Sequence, residues 1–196
     1  MDVGWLGGML ALLVLASAYN MYTDSDERHL RCIISSKDGN RYCVRERAKL
    51  ELAADRLAEV RARLDATVDH IRRNAQGEEG MRRICDRYKP NKIMETLPTS
   101  EHTAYTENKG KKIAFCLDTE RTGGKLIDIN TLTFVGLHEI SHIGCKSVGH
   151  TPEYWSVFKS VLRHAVAAGA YHPVDYSKQP SRYCGMEITD NPYFDE

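Results

Sequence analysis

The sequence predicts an α+β domain behind an N-terminal transmembrane helix, and three observations carry that expectation. The chain opens on a nearly uncharged apolar run. From Val44 to Asn74 apolar residues then recur at threes and fours, the period of a helix with one buried face. Beyond it, short runs of β-forming residues flank glycine-containing turns and alternate with two more helical patterns. A length of 196 residues suits one globular domain with a short appendage. Hydrophobic content of 42% and charged content of 28% fit a folded body rather than a disordered chain. Lys plus Arg and Asp plus Glu number 27 each, so no overall charge draws the chain to nucleic acid or an acidic membrane.

From Val3 to Met21 only Ser17 and Asn20 are clearly polar, and no charge falls between Asp2 and Asp24. As a helix rising about 1.5 Å per residue the run would reach roughly 28 Å, close to the thickness of a bilayer core. A transmembrane anchor is therefore expected over residues 3–22. The competing reading is a cleaved secretory signal, for which Ala16-Ser17-Ala18 offers a cleavage site but no positive charge precedes the run. Arg28, Arg31 and Lys37 follow it instead, which places the main body on the cytoplasmic side. Residues 23–43 read as a linker or small hairpin. The six cysteines include no C-x-x-C, so neither a zinc knuckle nor a thioredoxin-type pair is indicated, and reduced thiols are expected. Cys32 and Cys43 are the exception, because they flank the turn Ser36-Lys37-Asp38-Gly39-Asn40 and could face each other across a hairpin.

The domain proper is expected over 44–196, with a long helix at 44–75 and a catalytic core at 81–196. On the helix, Leu50, Leu57, Val60, Leu64, Val68 and Ile71 form the apolar stripe. Its alternating charges read as a solvated face with i,i+4 pairs, and a nucleic-acid surface is the competing reading. Met81 to Tyr88 reads as a short helix stopped by Pro90. His102–Thr106 and Lys112–Leu117 flank Asn108-Lys109-Gly110 as a hairpin, with Lys112–Leu117 as an edge to which a substrate peptide could add. Asn130 is expected to cap a helix carrying Leu132, Val135, His138, Glu139 and His142. Pro152 opens another, Glu153 to Ala168, whose Trp155 and Phe158 are expected in the core, and the tail from Tyr171 is expected to be irregular.

The chemistry concentrates in V-G-L-H-E-I-S-H-I-G-C-K-S-V-G-H-T-P-E-Y-W, Val135 to Trp155. His138 and His142, four apart, project from one helical face and can share a Zn²⁺. Glu139 lies where its carboxylate reaches a water on that ion rather than the ion, the arrangement of a metalloprotease base. Two solvated surface histidines are the bland alternative. A working site needs a third protein ligand. A metzincin pattern would place Gly at 145 and His at 148, where this chain has Cys145 and Val148. A thermolysin-like site would need a glutamate on a later helix, and Glu153 lies too near the motif. His150, on a turn that Gly149 permits, is assigned as the third ligand; His164 and His172 are weaker candidates. Cys145 reads as a buried helix-end thiol. Tyr154, Tyr171, Tyr176 and Tyr183 are candidate oxyanion donors, with Tyr183 the guess among them.

With H-E-I-S-H followed by G-H-T-P-E-Y-W, the sequence resembles the WLM metallopeptidases and their SprT-like relatives, particularly the WLM-like proteins of large DNA viruses of eukaryotes. The resemblance extends through Tyr105 to Leu117, Ile127 to Glu139 and Pro173 to Met186. It implies a compact zincin-like fold, a small antiparallel sheet packed on the HExxH helix. It also implies zinc on His138, His142 and His150 with Glu139 as base, and peptide-bond hydrolysis, in some relatives of proteins crosslinked to DNA. The expectation is thus a membrane-anchored zinc endopeptidase acting on a protein or peptide, single-pass, cytoplasmic-facing and virion-associated. The alternatives are an inactive structural component of a viral particle or membrane, and a protease of DNA-associated proteins.

Overall fold

A computed structural model describes residues 8–17, 29–75, 77–90, 92–107 and 110–195. Strands β1 (Arg31–Ile34) and β2 (Arg41–Val44) lead into α1 (Leu50–Asn74) and α2 (Glu79–Arg87). Then come β3 (Lys92–Glu95), β4 (Ala104–Glu107), β5 (Lys112–Phe115), α3 (Ile129–Gly144) and α4 (Pro152–Ala167). The chain ends in the hairpin β6 (Ser181–Tyr183) and β7 (Met186–Ile188), then a 3₁₀ turn, Pro192–Phe194.

The chain is α+β, and its main sheet is mixed, in the order β1-β2-β3-β5-β4. This corrects the small antiparallel sheet expected above. Only β1–β2 and β4–β5 are antiparallel in it; β2–β3 and β3–β5 are parallel. The cause is the connection: α1 and α2 separate β2 from β3, and a strand that returns through a helical crossover comes back parallel. The edges are β1 and β4, so β5, expected at an edge, is interior.

Alternation along the strands divides the sheet's two faces. Ile93, Ile113 and Phe115 join the main core with the helices, whereas Met94 and Ala114 cover the other face with Leu30. The α1 stripe is buried as its period requires, Leu57, Val60 and Leu64 being wholly excluded from solvent. Its helix starts at Leu50, later than the expected 44, because Arg41–Val44 are committed to β2 and the next residues are pinned. Arg45 N–H donates to Glu95 Oε2 at 2.7 Å, Arg45 Nε to the Thr96 carbonyl at 2.5 Å, and Arg47 pairs with Glu95 and, at 2.8 Å, with Asp118. The acidic side chains are almost fully buried, and Glu95 is compensated from two sides, by Arg45 and by Arg47.

The expected anchor over 3–22 is also corrected. Residues 8–17 are helical and exposed, while 3–7 and 18–22, and the start of the expected linker at 23–28, lie outside the described residues. A helix of that length rises only about 15 Å, half a bilayer core. Among the described residues no helix is long and apolar enough to cross a membrane, which removes the basis for the single-pass membrane location. Residues 108 and 109 of the expected β4–β5 turn are likewise outside the described residues. Four of the six cysteines are bonded: the exception expected for Cys32 and Cys43 is met, and the expectation of reduced thiols fails for Cys116 and Cys184. Cys32 faces Cys43 across the β1–β2 ladder and bonds to it, and Cys116 bonds to Cys184, 68 residues away. Cys85 and Cys145 are free.

Helices α2, α3 and α4 meet where two glycines allow close approach. A Cβ on Gly144 would lie 2.9 Å from Val157 Cγ1 and 3.1 Å from the Gly80 carbonyl. Helix propensity alone would favour alanine there by about 1 kcal/mol. The overlap outweighs it, because the backbone carbonyl cannot give way. Gly144→Ala should lower unfolding free energy by about 1–2 kcal/mol in urea titration; an unchanged or raised midpoint would contradict this packing.

Candidate metal centre

Helix α3 is capped by Asp128, not by Asn130 as expected. The Asp128 carboxylate accepts from Asn130 N–H at 3.0 Å and Thr131 N–H at 2.9 Å, satisfying two of the helix's free donors. Gly136 lies against Leu64 and Val60, drawing α3 close to α1. Most of α3 is buried, and His138 and His142 share the face left partly open.

The helical pitch sets the first pair: His138 Nε2 and His142 Nε2 lie 3.3 Å apart. At Cys145 the chain turns out of the helix, and Gly149 at φ 83° reverses it in a left-handed conformation. That brings His150 Nε2 to 3.1 Å from His138 Nε2. The three rings form a near-equilateral set, with centroids 5.0, 4.9 and 5.1 Å apart. Two nitrogens bound at about 2.05 Å to one tetrahedral ion would be separated by about 3.3 Å. The set therefore fits a zinc ion in spacing as well as in donor type, and one ligand atom from each ring lies within 4.8 Å of the others.

The loop that carries His150 is fastened from α4. The Glu153 carboxylate accepts from the N–H groups of Lys146 and Ser147, each at 3.0 Å, and from Ser147 Oγ at 2.7 Å. Those bonds hold its pKa down at about 2. Arg83 bridges Glu153 to the Gly144 carbonyl, at 3.0 and 2.5 Å, tying loop to helix end. Glu153 is thus a clamp on the loop. Thr151 caps α4, and its Oγ1 also meets Ser147 Oγ at 2.7 Å. Beneath the histidines, Tyr154 stacks on His142 at 4.3 Å between centroids. Neither residue's part in the site was visible from spacing; Thr151-Pro152 as a helix start was the only signal that the loop would be fixed.

Burial, followed by the neighbouring imidazoles, pushes His138 down to about 3, and the same causes bring His142 to about 4. At neutral pH these rings are uncharged and present lone pairs, as ligation demands. Glu139 is 6% exposed and burial pushes it up to about 7, against a hydrogen bond from Thr106 Oγ1 at 3.1 Å that favours the anion. Thr106 belongs to edge strand β4, which packs on α3. A cleft of about 510 Å³ opens over His138, Glu139 and His150 and is also lined by Phe134, Trp155 and Met186.

The remaining candidates separate. Tyr183, guessed as an oxyanion donor, spends its hydroxyl on the Thr103 carbonyl at 2.9 Å and accepts from Cys116 N–H at 3.3 Å. His164 faces His70 instead, Nδ1 to Nδ1 at 3.1 Å, and the His172 N–H bonds to Asn130. Cys145 is buried, its thiol donating to the Ser141 carbonyl at 3.3 Å, and burial pushes its pKa up to about 11. Phe158 is core, but Trp155, expected there too, is 43% exposed at the cleft mouth.

No protein-family model matches the sequence. The chain is 27% identical over 187 residues to an uncharacterized protein of Acanthamoeba polyphaga mimivirus, covering 93% of each. It is 41% identical over 69 residues to one of Invertebrate iridescent virus 6, 35% of this chain and 38% of that one. It is 36% identical over 88 residues to one of Invertebrate iridescent virus 3, 44% and 52%. Among solved structures, the crystal structure of a Wss1 mutant from S. pombe aligns over 62% of this chain and 91% of that one at 20% identity and a TM-score of 0.43. That score is too low for a shared fold to follow.

Two outcomes test the electrostatics and the clamp. Between pH 4.5 and 6.5 the unfolded chain protonates two imidazoles that the metal-free fold keeps neutral, while the fold protonates Glu139 and the unfolded chain does not. Two protons outweigh one, so the unfolded state binds more, and urea stability of the metal-free protein should fall as pH drops from 6.5 to 4.5. A flat profile would contradict the buried neutral pair. Glu153→Ala should free the His150 loop and weaken zinc binding by about 10–100-fold in competition with a chromophoric chelator.

Proposed function

We propose that the chain is a zinc-dependent endopeptidase of the WLM/SprT-like class. The observation that carries this reading is the convergence of three imidazole Nε2 atoms, His138, His142 and His150, beside a buried glutamate in an open cleft. A zinc ion held by those residues would act as a Lewis acid and bring the ionisation of water toward about pH 7.

The chain's own groups do the rest. Glu139, anchored by Thr106 and poised near neutrality, takes a proton from the attacking water at its free carboxylate oxygen and gives it to the departing amine. Among the described residues strand β4 is an edge of the sheet, and its Ala104 lines the cleft, where an extended peptide can add its backbone as a further strand. The substrate is accordingly a protein or peptide segment in extended form. A nucleic-acid surface on α1 is disfavoured, since Arg56, Arg61 and Arg72 are engaged with Glu59, Asp65 and Asp69 on the same helix.

Metal analysis should find one zinc per chain, and His150→Ala should lose most of it. Glu139→Gln should keep the zinc and lower peptide hydrolysis by about 10²–10⁴-fold. Turnover that survives in Glu139→Gln removes that residue from the mechanism. Stoichiometric zinc without cleavage of any casein-like substrate would instead favour the structural, inactive alternative.

A further inference from the structure

A second cavity, of about 780 Å³, shares no lining residue with the metal cleft. It is bounded by the segment after β2 (Arg45 to Lys49), by Leu97 and Pro98 after β3, by Asp118 and the Thr122–Leu126 loop after β5, and by α1. Because β2, β3 and β5 are mutually parallel, the cavity lies outside the carboxyl ends of three parallel strands. Crevices in that position are where open parallel sheets take their ligands. The volume falls within the range of about 300–1,000 Å³ usual for small-molecule sites.

The charge around it is one-sided. Arg45, Arg47, Lys49, Arg56 and Lys125 line the cavity against Glu46 and Asp118, in a chain whose formal charge is zero. Part of that excess is internal: Arg45 and Arg47 are committed to Glu95 and Asp118, and Glu46 to Arg31. Lys49 and Lys125 remain, exposed and in no ion pair among the described residues. Arg56, which also lines the cavity, is engaged with Glu59. No side chain caps the first turn of α1, which borders the cavity and adds to its positive potential. Leu52, Leu97, Pro98 and Leu126 supply an apolar wall.

We propose that this cavity binds a small phosphorylated ligand of nucleotide size, its phosphate held by Lys49 and Lys125 and its less polar part laid on the leucine and proline wall. The metal site takes no part, so this assignment stands or falls apart from the proposed peptidase activity.

Calorimetric titration of the full chain with adenosine 5′-monophosphate, with adenosine as control, tests it. Saturable one-site binding of the monophosphate and none of adenosine is expected. The double variant Lys49→Gln/Lys125→Gln should bind about tenfold or more weakly. Lys49→Arg/Lys125→Arg should restore binding. Both variants should keep the wild-type melting temperature and zinc content, because the lysines are exposed and remote from the histidines. Absence of saturable binding by the monophosphate, equal binding of adenosine, or undiminished binding by the glutamine variant would each overturn the proposal.

Discussion

A ring nitrogen offers either one lone pair or one N–H, directed in the plane of the ring. His138 Nε2 lies 3.3 Å from His142 Nε2 and 3.1 Å from His150 Nε2, and it cannot serve both with its one lone pair or one N–H, whichever tautomers are chosen. That local mismatch is the constraint around which this half of the molecule is arranged. Helix α3 is buried on its other sides, so the pitch of a rigid element fixes two rings. The third sits on a short loop that would be free to swing, and the fold restrains it with a carboxylate that collects two backbone amides and a hydroxyl. A cation at the centre would relieve the mismatch without moving any of these parts.

Burial has opposite effects on neighbouring groups of α3. Loss of water disfavours the charged form of each, so the imidazoles become poorer bases and the Glu139 carboxyl a better one. A single low-dielectric pocket thereby keeps the imidazoles neutral and raises the proton affinity of the carboxyl one residue along. Thr106 adds the fine adjustment from the sheet edge, which links the state of the carboxylate to the strand beside which a peptide would lie.

Much of this was legible in the sequence where one residue type recurs at a fixed period or where turn chemistry is explicit. The α1 stripe, the β1–β2 and β4–β5 hairpins and the H-E-I-S-H helix rest on such signals, and the three histidines do come together. What escaped lacks them. Lys-Ile-Met-Glu of β3 is four residues with one β-branched side chain, too short for alternation to show, and without it the parallel crossover and the mixed sheet are invisible. The β6–β7 hairpin turns on Cys184-Gly185, both at positive φ, with a cysteine where Asn or Asp would have announced the turn. Asp128 and Asn130 are both acceptable caps by residue type, and only the backbone geometry decides between them. The N-terminal run shows the opposite failure: composition and length suggested a membrane span that the described helix is too short to make.

The Cys116–Cys184 bond fastens the hairpin that bears Met186 to the interior strand of the main sheet, and the neighbouring Tyr183 hydroxyl bridges the same two segments. None of the histidines depends on that fastening, since all three stand on α3 and its following loop. The histidine group and the hairpin beside it are therefore subject to different chemistry, the one to protons, the other to thiols. Reductant added to guard Cys85 and Cys145 would slacken one side of the groove and leave the rings where they are. Protein folded in an oxidising compartment and handled without thiols is the form in which both halves exist together.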